Sequence, residues 1–245
     1  GDGGLELGNS NVITGSVYSN GNIVAGNSNQ ITGSVWVAGG PQPTPDQETP
    51  NCLTCQDFEF GKTVLGEQRL DVAQSFQPAT DGVLNKVSLK IKKTGLPINV
   101  TARILQDDVG KPDKNGVLTT GTLYSSLVTS SYGWIDVTFN TSPALTANTT
   151  YWLMLDTSSD SSNYWSWQND LAQSYNRGVP KWSQNWSTGN PTWNSFTGDL
   201  SFKTFLGGAP TSLRAGSTKM SVGEDVHANT IENVDIVRNA FYQTI

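Results

Sequence analysis

The hexamer Ile13-Thr14-Gly15-Ser16-Val17-Tyr18 returns as Ile31-Thr32-Gly33-Ser34-Val35-Trp36, and no other feature of the chain narrows its fold as much. Within the repeat, Val17, Ile23, Asn29 and Val35 fall six apart, as do Val12, Tyr18, Val24, Gln30 and Trp36. Three six-residue steps make one coil of a three-sided β-solenoid. Stacked coils place equivalent residues above one another, so apolar side chains form interior ladders while Asn and Gly take the corners. Two ordinary hairpins with a chance likeness are the alternative, and a near-identical hexamer at that offset favours the solenoid. Two coils alone are marginal, since each buries its apolar face only against a neighbour. The C-terminal region supplies more: Asn229-Thr230-Ile231 resembles Asn29-Gln30-Ile31, Thr230, Ile236 and Tyr242 are six apart, and so are Ile231 and Val237. Either the two ends stack as one solenoid interrupted by an insertion, or the end of one molecule stacks on the start of another. The period does not define handedness.

The interruption has its own pattern. Pro41, Pro43, Pro45 and Pro50 make a linker of the segment that ends at the Cys52-Leu53-Thr54-Cys55 motif, because prolines cannot donate to a β-ladder. A second junction lies near Gly207-Gly208-Ala209-Pro210. Between the junctions Val87, Leu89 and Ile91 alternate with Ser88, Lys90 and Lys92, and Ile135, Val137 and Phe139 alternate with Asp136 and Thr138, as half-buried strands do. Tyr151-Trp152-Leu153-Met154-Leu155 reads as a strand buried on both faces, and Gly, Asn, Pro and Ser clusters separate such runs. The expected fold is all-β: a jelly-roll sandwich inserted between short parallel β-solenoid segments. The expected divisions are solenoid repeats over 1–40, a Pro-rich linker with the CxxC motif over 41–55, the sandwich over 56–207, and solenoid repeats again over 208–245.

Charge excludes some functions. Charged residues are 15% of the chain and the net charge is −6. A nucleic-acid partner would require a basic stripe against the phosphates. The one dense basic cluster, Lys86, Lys90, Lys92 and Lys93, has the spacing of a strand's solvent face. No apolar run approaches the roughly 20 residues of a membrane-spanning helix. The chain opens on Gly1-Asp2-Gly3-Gly4, which reads as a processed or trimmed start. An extracellular or cell-surface location is expected from the Ser-, Thr-, Asn-, Gly- and Trp-rich composition. Asn-x-Ser/Thr triplets at Asn99, Asn140, Asn148 and Asn185 add only a little to that, being common by chance in such a chain.

The candidate chemistry is aromatic. Of eight tryptophans, Trp165, Trp167, Trp182, Trp186 and Trp193 crowd one stretch, with Tyr164, Tyr175 and Arg177 among them. A flat ring packs against the axial C–H groups of a sugar, and nearby amides and Arg177 can fix its hydroxyls. The same rings could instead staple long loops over the sandwich. Trp134 and Trp152 lie in strand patterns and are expected in the core. Cys52 and Cys55 are expected to form a local disulfide bracing the entry to the sandwich, with free thiols as the alternative. A zinc site needs more ligands than a chain with one histidine readily offers. That residue, His227, is expected to be structural, since an acyltransferase would need a longer solenoid enclosing a donor pocket and the Gly-x-Ser-x-Gly elbow of a hydrolase is absent. No motif requires a cofactor. The loop Asp107 to Gly116 reads as a hairpin connection whose oxygens could hold calcium, although its spacing does not match a calcium loop.

Four stretches, Val72-Ala73-Gln74-Ser75-Phe76, Leu84-Asn85-Lys86-Val87-Ser88-Leu89, Thr146-Ala147-Asn148-Thr149-Thr150-Tyr151-Trp152-Leu153 and Gly198-Asp199-Leu200-Ser201-Phe202-Lys203, mark strand cores and turns. With them the central segment resembles the jelly-roll domains of bacterial surface and secreted proteins of the "choice-of-anchor" type, akin in style to carbohydrate-binding modules. The flanks resemble the hexapeptide-like or polymer-forming repeats of surface and cytoskeletal proteins. The resemblance implies a fold, and carries over no catalytic residue. The function expected is non-catalytic binding of a polysaccharide or other glycan through exposed aromatics. A surface-fibre subunit that self-associates through solenoid ends is the alternative. A glycoside hydrolase is a second one, since two carboxylates suffice for that chemistry.

Overall fold

A computed structural model describes residues 4–19, 21–37, 44–50, 52, 54–207, 211–228 and 230–242. The chain is essentially all-β and divides into two compact units, one of Gly1–Pro45, Gly82–Lys86 and Phe205–Ile245, the other of Asp46–Asp81 and Val87–Thr204. Among the described residues no helix is long and apolar enough to cross a membrane.

The first unit contains a three-sided β-solenoid of four coils. One side stacks Leu5–Leu7, Ile23–Ala25, Ser212–Ala215 and Thr230–Glu232; the second stacks Val12–Ile13, Gln30–Ile31, Met220–Val222 and Val234–Ile236; the third stacks Val17–Ser19, Val35–Val37, Val226–His227 and Ala240–Phe241. Every pairing is parallel, with Leu5 over Ile23, Ile13 over Ile31 and Val17 over Val35. The two ends of the chain stack on each other within one molecule: Ile23 pairs Leu213, Ile31 pairs Val222 and Val35 pairs Val226. Interior ladders follow, with Ile23, Ile31, Val35, Leu213, Met220, Val222 and Val226 fully buried. Asn29, the one polar member of its six-step series, is 2% exposed at a corner. Its Oδ1 accepts from the backbone N–H and side-chain amide of Asn11 at 3.0 Å each, and its Nδ2 donates to Gly8 O at 2.8 Å, so the corner is satisfied internally. Ser10 and Ser28, one coil apart, both turn this corner with positive φ (60° and 58°).

The fourth coil departs from the expected period. Ile231 lies 18 positions after its partner Leu213, but Val234 lies only 14 after Met220 and Ala240 only 14 after Val226. Asn233, at φ 59°, cuts the first corner short. Ile236 therefore joins the Ile31–Val222 stack, while Val237, expected to repeat Ile231, is exposed.

Two antiparallel sheets account for most of the remaining strands. The first has strand order Pro112–Leu123, Val100–Asp107, Tyr151–Asp156, Asp71–Phe76, Pro180–Ser183, Asn194–Ser195. The second, of eight strands, runs Asp199–Leu200, Tyr164–Asp170, Gly82–Thr94, Phe202–Gly207, Gln47–Glu48, with Cys55–Phe60 pairing Tyr164–Asp170 and with Gly133–Thr138 and Ala144–Leu145 pairing Gly82–Thr94. Period-2 alternation holds for the apolar face: Val87, Leu89 and Ile91 are fully buried while Lys90 and Lys92 reach the surface; Ser88, expected beside those lysines, is buried, its hydroxyl donating to Asp136. Part of the expected linker belongs to this sheet. Gln47–Glu48 pairs with Thr204 and Lys203, and the Thr49 hydroxyl donates to Leu200 O at 2.8 Å. Those three residues carry no proline, so they can extend a sheet edge where their neighbours cannot. Pro41 and Pro43 lie outside the described residues.

Candidate functional site: a groove on the eight-stranded sheet

The aromatic stretch separates into residues with different duties. Trp165 and Trp167 sit two apart on one strand, opposite Phe60 and Phe58, and are both 0% exposed. The Trp167 indole donates to Ser201 O at 2.8 Å. Neither has a free face for a ligand, which corrects the expectation that they bind one. Trp182 and Trp186 are buried as well. Trp186 packs with Ala73, Leu105, Trp152 and Met154 of the six-stranded sheet, and Trp193 meets it edge-on at 6.2 Å between centroids. Lys114 Nζ lies 4.2 Å from the centre of the Trp186 ring and donates to that residue's carbonyl. These rings staple a loop to the sheet, the other role that large indoles fill well.

Tyr175 is buried edge-to-face on Phe202, its hydroxyl donating to Gln47 Oε1 at 3.0 Å, and burial pushes its phenol up to about 12. Arg177 clamps loops, donating to Pro78 O at 3.2 Å and Asn148 Oδ1 at 2.6 Å. Tyr164 is half-buried beneath the Lys62 ammonium, 3.7 Å above its ring. The stretch from Tyr164 to Trp193 is thus distributed between core, staple and surface, with no single binding face.

The exposed tryptophan is Trp134, expected in the core and found 40% exposed. Strand parity explains the correction: with Val137 inside, Trp134 and Asp136 both point out. Trp134 lines a groove of about 470 Å³ on the outer face of the eight-stranded sheet, together with Glu48, Lys90, Gln168, Ser201, Lys203 and the Cys52–Cys55 disulfide at one rim. Lys203 Nζ lies 4.7 Å and Lys90 Nζ 5.4 Å from the indole centroid. Lys203 also pairs with Glu48 at 3.3 Å, and the Ser201 hydroxyl lies 3.4 Å from Gln168 Oε1. The sheet presents further Lys–aromatic pairs. Lys92 sits 4.7 Å over Tyr132 and 2.6 Å from Asp57, which accepts from the Tyr132 hydroxyl at 2.8 Å. Burial raises the Asp57 pKa, but the hydrogen bonds from Lys92 and Tyr132 outweigh it and hold the carboxyl below its ordinary value. Burial, and then Asp57, pushes the Tyr132 phenol well above its own.

Among the described residues no group of three or more His, Cys, Asp or Glu side chains could hold a metal ion. In the Asp107–Gly116 loop, Asp107 accepts from the Trp152 indole at 2.7 Å and from Gly110 N at 3.0 Å, Asp108 pairs with Lys111 at 3.3 Å, and Asp113 accepts from Asn115 N at 2.9 Å. Its carboxylates shape a turn. His227 is stacked between Trp36 (3.9 Å) and Phe241 (4.2 Å) in a ladder along the third side of the solenoid. No protein-family model matches the chain, and comparison with curated proteins found no match.

Proposed function

We propose that the sandwich is a non-catalytic, extracellular binding module that takes a saccharide in the Trp134 groove. The observation that carries this is the exposed indole in a groove lined by an amide, a hydroxyl, a carboxylate and two ammonium groups. A sugar ring offers an apolar face for the indole and a rim of hydroxyls for those polar groups. The Cys52–Cys55 disulfide supports an oxidising compartment. Glu48 is the one carboxylate among the described groove residues, so the arrangement offers a hydrolase no acid pair. The test is retention on a panel of immobilised polysaccharides: Trp134→Ala is expected to abolish retention without unfolding the protein, and unchanged retention on every bound polysaccharide would refute the reading.

A structural role is the second reading. Among the described residues the strands of the first and fourth coils are paired along one edge only, and Leu5, Ile13, Val17, Val234, Ile236 and Ala240 are partly buried. Unpaired edges template further strands. Electron microscopy at rising protein concentration tests it, with strictly single particles counting against a fibre.

A further inference from the structure

We infer that the saccharide carries a negative charge, as a uronate carboxylate or a sulfate ester, and that Lys90 receives it; this rests on the saccharide reading of the Trp134 groove. Four lysines of the second unit stand over aromatic rings on this sheet and its neighbouring hairpin. Three of them hold a carboxylate: Lys62 with Glu59 at 3.1 Å, Lys92 with Asp57 at 2.6 Å, and Lys203 with Glu48 at 3.3 Å. Lys90 has no carboxylate partner among the described residues, and its ammonium is left with the π-face of Trp134. The groove therefore holds two ammonium groups and one carboxylate around a single indole, in a chain whose net charge is −6.

The lysines also decide which sugars can stack. A sugar ring that stacks on the face of Trp134 covered by Lys90 displaces that ammonium from the indole. A neutral sugar replaces that cation–π contact with a weaker C–H contact and offers the displaced ammonium only neutral hydroxyl acceptors. An anionic sugar brings the partner for the ammonium it displaces, forming a charge-assisted hydrogen bond in a partly enclosed site. Lys203 already has Glu48, so the displaced group with the most to gain is Lys90. Selectivity then comes from a cost imposed on neutral sugars as much as from a gain with charged ones.

Two matched probe pairs test this by titration calorimetry: polygalacturonate against its methyl ester, and dextran sulfate against dextran. The charged member of at least one pair is expected to bind about tenfold or more tightly than its neutral counterpart, the worth of one charge-assisted hydrogen bond. Which pair responds tells carboxylate from sulfate. Added salt should weaken that binding, Lys90→Gln should erase the preference and Lys90→Arg should restore it. Equal affinity for charged and neutral members, with both lost in Trp134→Ala, would overturn the anionic assignment and leave the saccharide site standing. A charge preference that survives Lys90→Gln would overturn the role of Lys90. Binding of neither pair, or binding indifferent to Trp134→Ala, would overturn the saccharide reading and this inference with it.

Discussion

Raising the pH from 5 to 8 is expected to destabilise the six-stranded sheet through one carboxyl group, Asp71. It is 2% exposed and lies opposite Asp156 in the ladder, and its Oδ2 accepts from the Trp186 backbone N–H at 2.8 Å. Arg103 pairs with Asp156 at 2.7 Å, which leaves Asp71 beside a carboxylate that already has its counterion. Burial is the main reason that the Asp71 pKa rises from 3.8 to about 7; Asp156 adds to the rise, and the Trp186 N–H and Arg103 oppose it. The folded protein therefore holds a proton that the unfolded chain releases. Stability from this group is complete below the unfolded pKa of 3.8 and is lost as pH climbs through the folded value near 7. At about 1.4 kcal/mol per pH unit, the loss between pH 5 and the folded value near 7 amounts to about 3 kcal/mol, with little further change to pH 8. Asp71→Asn keeps an acceptor for Trp186 and gains a donor toward Asp156, so its stability should change little over that range and exceed the wild type at pH 8. Urea unfolding followed by tryptophan fluorescence at pH 5, 6, 7 and 8 measures both slopes. Parallel slopes for wild type and Asp71→Asn would show that Asp71 does not hold the proton and that the buried pair has been misread.

Other positions give sharper yes-or-no outcomes. Trp167→Ala should cost about 3–5 kcal/mol, as deletion of a fully buried indole does, while Trp134→Ala should leave the melting temperature nearly unchanged; comparable losses would contradict the difference in their exposure. Val109 and Leu65 turn two-residue hairpins with positive φ (49° and 51°), each followed by a glycine also at positive φ, and both side chains point into solvent. Val109→Asn should therefore stabilise by about 1 kcal/mol, read as a higher urea midpoint, because a β-branched residue is strained where Asn is at ease. Asn29→Ala should cost about 1–3 kcal/mol by orphaning Gly8 O and the Asn11 donors at the solenoid corner, measurable by thermal melting.

The solenoid was legible because its rule is strictly periodic. A displacement of 18 put Ile31 over Ile13 and Trp36 over Tyr18, and the series through Val17, Ile23, Asn29 and Val35 traces the interior while the series through Val12, Tyr18 and Val24 traces the outside. What the period could not supply was the length of each corner. Asn233 shortens one, so Ile236 turns inward and Val237, expected to repeat Ile231, turns outward. Spacing also left open whether the ends stack within one molecule, because a parallel edge accepts any coil of the right outline; the pairings of Ile23 with Leu213, Ile31 with Val222 and Val35 with Val226 decide it.

The site was hidden for a different reason. A tryptophan that binds and one that staples meet the same compositional requirement, a large flat apolar surface, so crowding of indoles between Trp165 and Trp193 says that much area is buried there and nothing about where a face is left open. Parity carries the missing information. Trp165 and Trp167 share a strand face with each other and oppose Tyr164, Ser166 and Gln168, so the two must be inside or outside together; the 0% exposure of both puts Gln168 in the groove. The same reasoning applied to Val137 sends Trp134 outward, against the core position that its strand pattern suggests. Parity alone still cannot find Lys203, which nears the indole because Phe202–Gly207 and Gly133–Thr138 both adjoin Gly82–Thr94, or Glu48, which pairs with Lys203 from more than 150 residues earlier. A groove assembled across strands so distant in sequence is defined by sheet order, which neither repeat nor alternation encodes.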